Sequence, residues 1–371
     1  MVTTMRMRLA SELLFGALLV LAVERANASE CSKPIVAQFP EFGAKVDKVL
    51  DAAVASGFAG GVAIVRKGKL IYVRVDGYSD NARQVRVTDA TMFHVASITK
   101  YLTAVLILKA AEVGKLALGD PIAKFVPELA LGKRGITIAD LLAHRSGLGS
   151  SYAAEATSEP IAALHAIDAV PYDETKRGSF HYSNDGYDIL AIIIERVFGV
   201  AYEEAARSGV FAPACLENSG FWGQAALDDP HVVGQPVVAV SPELKRRNYG
   251  MIGSAGFLTT AADLVRLQSA LASGRVLRSA SLAELWSARG TASIGQVAYG
   301  IFLVEHSALG PTVSARGSED WGDNAILNHY RRDDVIVAVT TSKGPREGTG
   351  DLFRNTISKG IEAVLSAERG P

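Results

Sequence analysis

Between Ile98 and Val113 no Pro or Gly interrupts the chain, and apolar residues fall on every side of a helical wheel, at Ile98, Leu102, Val105, Leu106, Leu108 and Ala111. That pattern predicts a helix buried all round and stopped at Gly114. A second rhythm, rich in β-branched residues, occupies Gly61 to Arg66 and Leu70 to Asp76, either side of Lys67-Gly68-Lys69. It predicts a hairpin. Ala325 to Tyr330 and Val335 to Thr341, flanking Arg331-Arg332-Asp333-Asp334, predict another. Helical spacing returns at Val46 to Ala55, at Gly186 to Phe198 with Gly199 beyond it, and at Asp351 to Glu368. Thr137-Ile138-Ala139-Asp140 has the character of a capping box, and Thr260 to Asp263 caps a helix running towards Ala272 and ended by Gly274.

Strands therefore gather at both ends of the chain and helices in the middle. The economical architecture is α/β, an antiparallel sheet flanked by helices, with an inserted all-helical lobe. Residues 29–115 and 255–371 would build the α/β lobe, and residues 116–254 the helical one.

The N-terminus has a separate purpose. Arg6 and Arg8 precede an apolar run from Leu13 to Val23, and Ala26-Asn27-Ala28 offers a small-x-small cleavage site. Residues 1–28 thus read as a signal peptide. The run is shorter than the ~18 apolar residues that a membrane span needs. The expected mature protein is secreted or periplasmic, with no membrane span.

Composition excludes some partners. The chain has 371 residues, 49% of them hydrophobic, and a formal net charge of −1. Nothing in that balance suits nucleic acid or an anionic lipid surface. The seven His are scattered and form no H-E-x-x-H pair, and no glycine-rich phosphate loop is present, so neither metal nor cofactor is expected. Cys31 and Cys215 either pair in an oxidising compartment or remain two separate thiols. Trp222 and Trp321 are candidates for a cleft wall or for ordinary packing.

Ser97 lies at the start of the buried helix and Lys100 follows one turn later. The spacing can bring an amine to the serine oxygen, and a serine hydroxyl is a weak nucleophile until a base takes its proton. A lone S-x-x-K is expected about once by chance in such a chain. Tyr182-Ser183-Asn184 alone would be a polar turn before a helix. A phenol, which ionises near ~10, works as a base only beside cations. Ser314-Ala315-Arg316-Gly317-Ser318 sits on an extended stretch before the last hairpin.

Together these segments resemble the serine β-lactamase and penicillin-binding family, on its class C β-lactamase, D,D-peptidase and esterase branch. The family pattern is S-x-x-K, then Y-x-N, then a strand bearing K-T-G or H-x-G. His144-Arg145-Ser146-Gly147-Leu148, Gly256 to Leu264 and Tyr299-Gly300-Ile301 are similar to further family segments. The resemblance implies a β-lactamase/transpeptidase-like fold, with Ser97 as nucleophile and Lys100 and Tyr182 as its proton acceptors. It implies that Asn184 orients Lys100 or binds a substrate carbonyl. The oxyanion donors would be the N–H of Ser97 and one near Glu319.

The third motif departs from the pattern. Aligned by the following strand, Arg316 stands where the family has Lys or His, Gly317 in the middle, and Ser318 where Gly is usual. Arg316 would either lower the pKa of Tyr182 by its positive charge or bind a substrate carboxylate bidentately, and Ser318 would narrow the cleft. Glu319 would share a strand face with Gly317 and point away from the site. Asn184, Arg316, Ser318 and Glu319 are thus the candidate binding residues.

The expected activity is an exported serine hydrolase that cleaves an ester or amide of a small-molecule or peptide substrate through an acyl-serine on Ser97. Two alternatives stand beside it. One is a D-amino-acid peptidase in which Glu319 or Asp320 holds a free amine. The other is a non-catalytic penicillin-binding or sensor protein. Fast β-lactam hydrolysis is not expected, because no Glu-x-x-Leu-Asn segment is present to activate water.

Overall fold

The computed structural model describes residues 39–226, 228–306, 309–344 and 352–368. The expected leader, 1–28, and Cys31 lie outside the described residues. Cys215 is disulfide-bonded.

Helix α1, Pro40–Ala55, starts ahead of the predicted Val46. Pro40 needs no N–H at the first helical position, and Phe42 joins Val46, Leu50 and Ala53 on the buried face. Strands β1, Gly60–Arg66, and β2, Lys69–Asp76, form the first hairpin. Its turn is closed by Lys67 at φ 50° and Gly68 at φ 72°. A two-residue strand β3, Phe93–His94, then leads into α2, Thr99–Glu112. All sides of α2 are covered: Tyr101, Leu102 and Ala104 to Leu108 are each at most 2% exposed. The all-round apolar pattern is the cause, because such a helix has no face that prefers water.

Helix α3, Ile138–Leu142, carries the full capping box between Thr137 and Asp140. Helix α4, Asn184–Phe198, is capped by Ser183, which accepts the N–H of Gly186, and ends at Gly199 with φ 73°. Strand β4, Ser219–Phe221, pairs with β5, Phe257–Thr259, which also pairs with β3. Helix α5, Ala261–Ala272, follows, capped by Thr260.

The C-terminal part supplies β6, Gly290–Ala292; β7, Gly295–Val297; β8, Phe302–His306; β9, Gly310–Ser318; β10, Asn324–Tyr330; and β11, Val335–Thr341. Helix α6, Phe353–Ala367, closes the described chain. The main sheet runs β2-β1-β11-β10-β9-β8-β7-β6 and is antiparallel throughout. The two predicted hairpins thus meet at β1–β11, with Val62 opposite Val339. Strand alternation then divides the core. Val62, Ile64, Val337 and Val339 face α1 and α6, while Ala63, Val65, Ile336 and Ala338 join the larger core around α2 and α5. Among the described residues no helix is long and apolar enough to cross a membrane.

Candidate active site

Ser97 sits in a 3-10 turn, Ala96–Ile98, and α2 proper starts only at Thr99. The turn is constrained from both ends. Ala96 is held at φ 47°, a left-handed conformation that costs a non-glycine residue about 1–2 kcal/mol. Thr99 Oγ1 donates to the Ala96 carbonyl at 2.7 Å and accepts the Phe257 N–H at 3.0 Å. Strained backbone that its surroundings over-determine is a hallmark of functional sites.

Two side chains converge on the Ser97 hydroxyl. Tyr182 Oη is 2.7 Å from Ser97 Oγ, and Lys100 Nζ is 3.2 Å from it. Lys100 is 2% exposed, and its ammonium also donates to the Ser254 carbonyl at 2.8 Å. It lies 4.8 Å from the centre of the Tyr182 ring. Tyr182 is held by its neighbours on either side. His144 stacks on its ring at 4.4 Å, and His144 Nδ1 accepts the N–H of Ser183 at 3.1 Å. Burial, reinforced by the Lys100 charge, pushes His144 down to about 3. It is therefore neutral, with its proton on Nε2.

Strand β9 forms the other wall. A Cβ on Gly317 would lie 1.9 Å from the Val95 carbonyl oxygen and 2.9 Å from the Ser97 nitrogen. Gly317, not Ser318, is thus the residue that must lack a side chain for the strand to pass the nucleophile. The expected match with the third motif moves by one residue. Ala315 stands where the family has Lys or His, and Arg316 takes the middle position. Ser318 is not the residue that narrows the passage.

The oxyanion donor expected near Glu319 is narrowed in the same way. The Glu319 N–H is spent on the Asp323 carbonyl, at 2.9 Å. Backbone groups alternate along an antiparallel strand, so the N–H of Ser318, opposite Asn324, turns to the other edge. Strand β8 covers that edge only as far as Ser314. The amides of Ser97 and Ser318 are therefore the candidate pair.

Glu319 does not point away, because the face it shares with Gly317 is the one turned to Ser97. Burial raises its pKa, and the charges of His94 and Lys100 pull it back. Asn184 is buried at the start of α4 and donates to Ser150 Oγ at 3.2 Å. The Ser254 carbonyl, not Asn184, anchors Lys100.

Arg316 lies on the opposite face of β9, its Nε donating to Ser314 Oγ at 2.9 Å. Beside it stands Arg354 from the first turn of α6, which donates to the Gly317 carbonyl and whose buried Nε has no partner. Burial and repulsion from Arg316 bring Arg354 down to about 10. A cavity of about 370 Å³ joins Ser97, Tyr182, Arg316, Ser318, Arg354 and Asn355.

Beneath the site, His94 Nδ1 is 3.1 Å from Asp323 Oδ2 and its Nε2 is 2.6 Å from the Ala255 carbonyl. Two acceptors require two N–H groups. Burial opposes the charge, but Asp323 and the carbonyl outweigh it and raise the His94 pKa. Trp222 and Trp321 pack on this imidazole at 4.8 and 6.0 Å. Sequence reasoning missed His94, Ser254 and Arg354. Ser254 acts through its backbone and leaves no side-chain signal, and Arg354 becomes visible only once α6 is docked on the sheet.

The Beta-lactamase family model matches residues 46–357. The putative penicillin-binding protein PbpX of Bacillus subtilis is 26% identical over 249 residues, 66% of this chain and 62% of that protein. A teichoic acid D-alanine hydrolase of Staphylococcus aureus is 31% identical over 180 residues, 48% of this chain and 44% of that protein. The chain thus spans less than two thirds of the length of these curated relatives. Among solved structures, a D-amino acid amidase from Ochrobactrum anthropi SV3, complexed with L-phenylalanine, superposes with TM-score 0.75 at 22% identity, covering 89% of this chain and 100% of that one. A penicillin-binding protein from Bacillus halodurans gives TM-score 0.71 at 19% identity, covering 86% and 99%. The fold is that of β-lactamases and transpeptidases.

Proposed function

The chain belongs to the beta-lactamase family, and from that premise we propose that it is an exported serine hydrolase cleaving an ester or amide through an acyl intermediate on Ser97. The convergence of Tyr182 Oη and Lys100 Nζ on one hydroxyl carries this reading. Oγ of Ser97 attacks the substrate carbonyl carbon, and its proton passes to the Tyr182–Lys100 pair. The carbonyl oxygen becomes an oxyanion held by the amides of Ser97 and Ser318. Collapse breaks the bond to the leaving group, which departs with the proton. Water then attacks the acyl-enzyme by the same route in reverse, releasing the acid and restoring Ser97.

Arg316 and Arg354 give the leaving-group side its preference. Two guanidiniums with donors to spare, next to the tyrosine that hands over the proton, suit a carboxylate or phosphate on the departing fragment. The names of two similar proteins, a teichoic acid D-alanine hydrolase and a D-amino acid amidase, support hydrolysis of an acyl bond as the reaction class. Export rests on the basic start, apolar run and cleavage site of residues 1–28. Pre-steady-state turnover of a p-nitrophenyl ester tests the reading. A burst stoichiometric with enzyme supports it, and turnover that survives Ser97→Ala unchanged removes it.

A further inference from the structure

We propose, resting on the acyl-Ser97 reading, that Asp188 is a positioning residue for Lys100 and that it acts as an un-ionised carboxyl: the site works while Asp188 holds its proton and fails when it loses it.

Asp188 lies one turn beyond Asn184 on α4 and is 0% exposed. The backbone that anchors Lys100 is packed on the same stretch of helix. A Cβ on Gly253 would lie 2.3 Å from the Tyr187 carbonyl oxygen and 2.7 Å from Ala191 Cβ, so the chain at Gly253 touches α4 at residues that bracket Asp188. One residue on, the Ser254 carbonyl accepts from Lys100 Nζ at 2.8 Å.

The surroundings of Asp188 suit an acid, not a carboxylate. Asp185, three residues earlier on the same helix, shows what a buried carboxylate collects. It accepts the N–H and Oγ–H of Ser151 at 3.3 and 2.6 Å and the N–H of Ala153 at 3.1 Å. Neither side-chain oxygen of Asp188 meets a donor among the described residues. The neighbour placed to bond with it is the Ser254 hydroxyl, which has given its only hydrogen to the Gly250 carbonyl at 3.1 Å. Ser254 Oγ can then only accept, so a proton shared between the two must come from Asp188.

The charges around it agree. Burial pushes Asp188 well above the usual carboxylate range, and Asp185 and Glu155 push the same way, against the Ser254 side chain and the Lys100 charge. On the remaining side Tyr202 Oη is engaged with Thr103 Oγ1 at 2.7 Å. A carboxylate at this position would act on Lys100 through space. An amine that has to take the Ser97 proton becomes a weaker base beside an anion, because the anion stabilises the proton already on it. A cation that has to make Tyr182 more acidic is cancelled by the same anion. Either way acylation slows, and a neutral Asp188 avoids both effects.

The test is the pH profile of kcat/KM for a p-nitrophenyl ester, corrected for spontaneous hydrolysis, in wild type and Asp188→Asn. Each profile is normalised to its own value at pH 7, which cancels any general loss in the variant. The amide has nearly the shape of the acid and cannot ionise. Wild type should lose activity on the alkaline side by about tenfold per pH unit, and the fall should begin about one pH unit or more higher in Asp188→Asn. A wild-type profile without an alkaline fall overturns the proposal and needs no variant, which covers the case of a variant that does not fold. The same fall in both proteins overturns it too, and leaves Asp188 with a packing role alone. Urea denaturation reads the proton without using activity. The folded chain holds the Asp188 proton to higher pH than the unfolded chain, which releases it near ~3.9, so wild type loses stability at this residue as pH rises from 4. The midpoint of Asp188→Asn should therefore gain on that of wild type from pH 4 to pH 7, and a constant difference overturns the proposal. Intact-mass analysis after reaction with the ester separates the two levels. Acylated Ser97 with matching pH profiles removes only the role of Asp188, whereas no acylation of Ser97 removes the hydrolase reading and this one with it.

Discussion

The Tyr182 hydroxyl lies 2.7 Å from the Ser97 hydroxyl, although 85 residues of chain separate the two. The stacking of His144 on the Tyr182 ring and its bond from the Ser183 amide hold that distance. His144→Ala removes both supports and leaves a cavity. The expected result is a fall in kcat of about ten- to a hundredfold with a smaller change in KM, read on a p-nitrophenyl ester. His144→Phe, which keeps a ring but loses the acceptor, should recover part of it.

His144 also makes stability depend on pH. Its folded pKa, about 3, lies well below the ordinary histidine value of ~6.5. The unfolded chain therefore binds the proton more readily, and this contribution is complete above ~6.5 and lost as pH falls towards 3. Urea denaturation from pH 7 to pH 4 should show a falling midpoint in wild type and a shallower fall in His144→Phe. Identical slopes would mean that His144 is not the group responsible.

His94 acts in the opposite direction. Its folded pKa is raised, so the stability it lends is complete below the unfolded value of ~6.5 and declines as pH rises through the folded one. Asp323→Asn leaves the buried imidazolium without its counter-charge, and removing one member of a buried pair costs about 3–5 kcal/mol. The loss should be largest at low pH and shrink as His94 becomes neutral. Thermal melts of wild type and variant across pH 5.5–9 give the comparison.

Gly317→Ala asks for a methyl group 1.9 Å from the Val95 carbonyl oxygen, where only backbone can give way. Displacing the Ser97 turn should lower kcat/KM about a hundredfold, with about 1–3 kcal/mol of lost stability. Ser318→Gly, by contrast, should keep most of the activity. If Ser318→Gly proves the more damaging change, the one-residue shift of the third motif is wrong.

How much of this was legible in sequence follows from how local each signal is. Hairpin and cap chemistry act within a few residues, so the turn at Lys67-Gly68 and the Thr137–Asp140 box were readable directly. The S-x-x-K and Y-x-N spacings pointed to Ser97, Lys100 and Tyr182, which the fold brings together. The register of β9 was not readable. An alternating strand fits either face, and only its contact with Val95 and Ser97 identifies Gly317 as the close-packed residue. For that reason the direction of Glu319 came out wrong from sequence, and the oxyanion amide could be placed only near Glu319 and not at Ser318 itself. The start of α1 at Pro40 was hidden because its first turn carries only one apolar contact residue, Phe42.

Charge on the leaving-group side can be probed with paired esters that differ only by a distal phosphate or carboxylate. Arg316→Gln and Arg354→Gln should each raise KM about tenfold for the anionic member and leave the neutral member's KM within about twofold. Equal effects on both members would place the two arginines in a structural role only.

The most direct measurement is mass spectrometry of the enzyme quenched during turnover of a p-nitrophenyl ester, with wild type, Ser97→Ala and Tyr182→Phe side by side. Wild type should gain one acyl mass on the peptide containing Ser97, Ser97→Ala none, and Tyr182→Phe should acylate at least a hundredfold more slowly. An acyl group found on any other residue, or Tyr182→Phe acylating at the wild-type rate, would contradict a Ser97 nucleophile served by Lys100 and Tyr182.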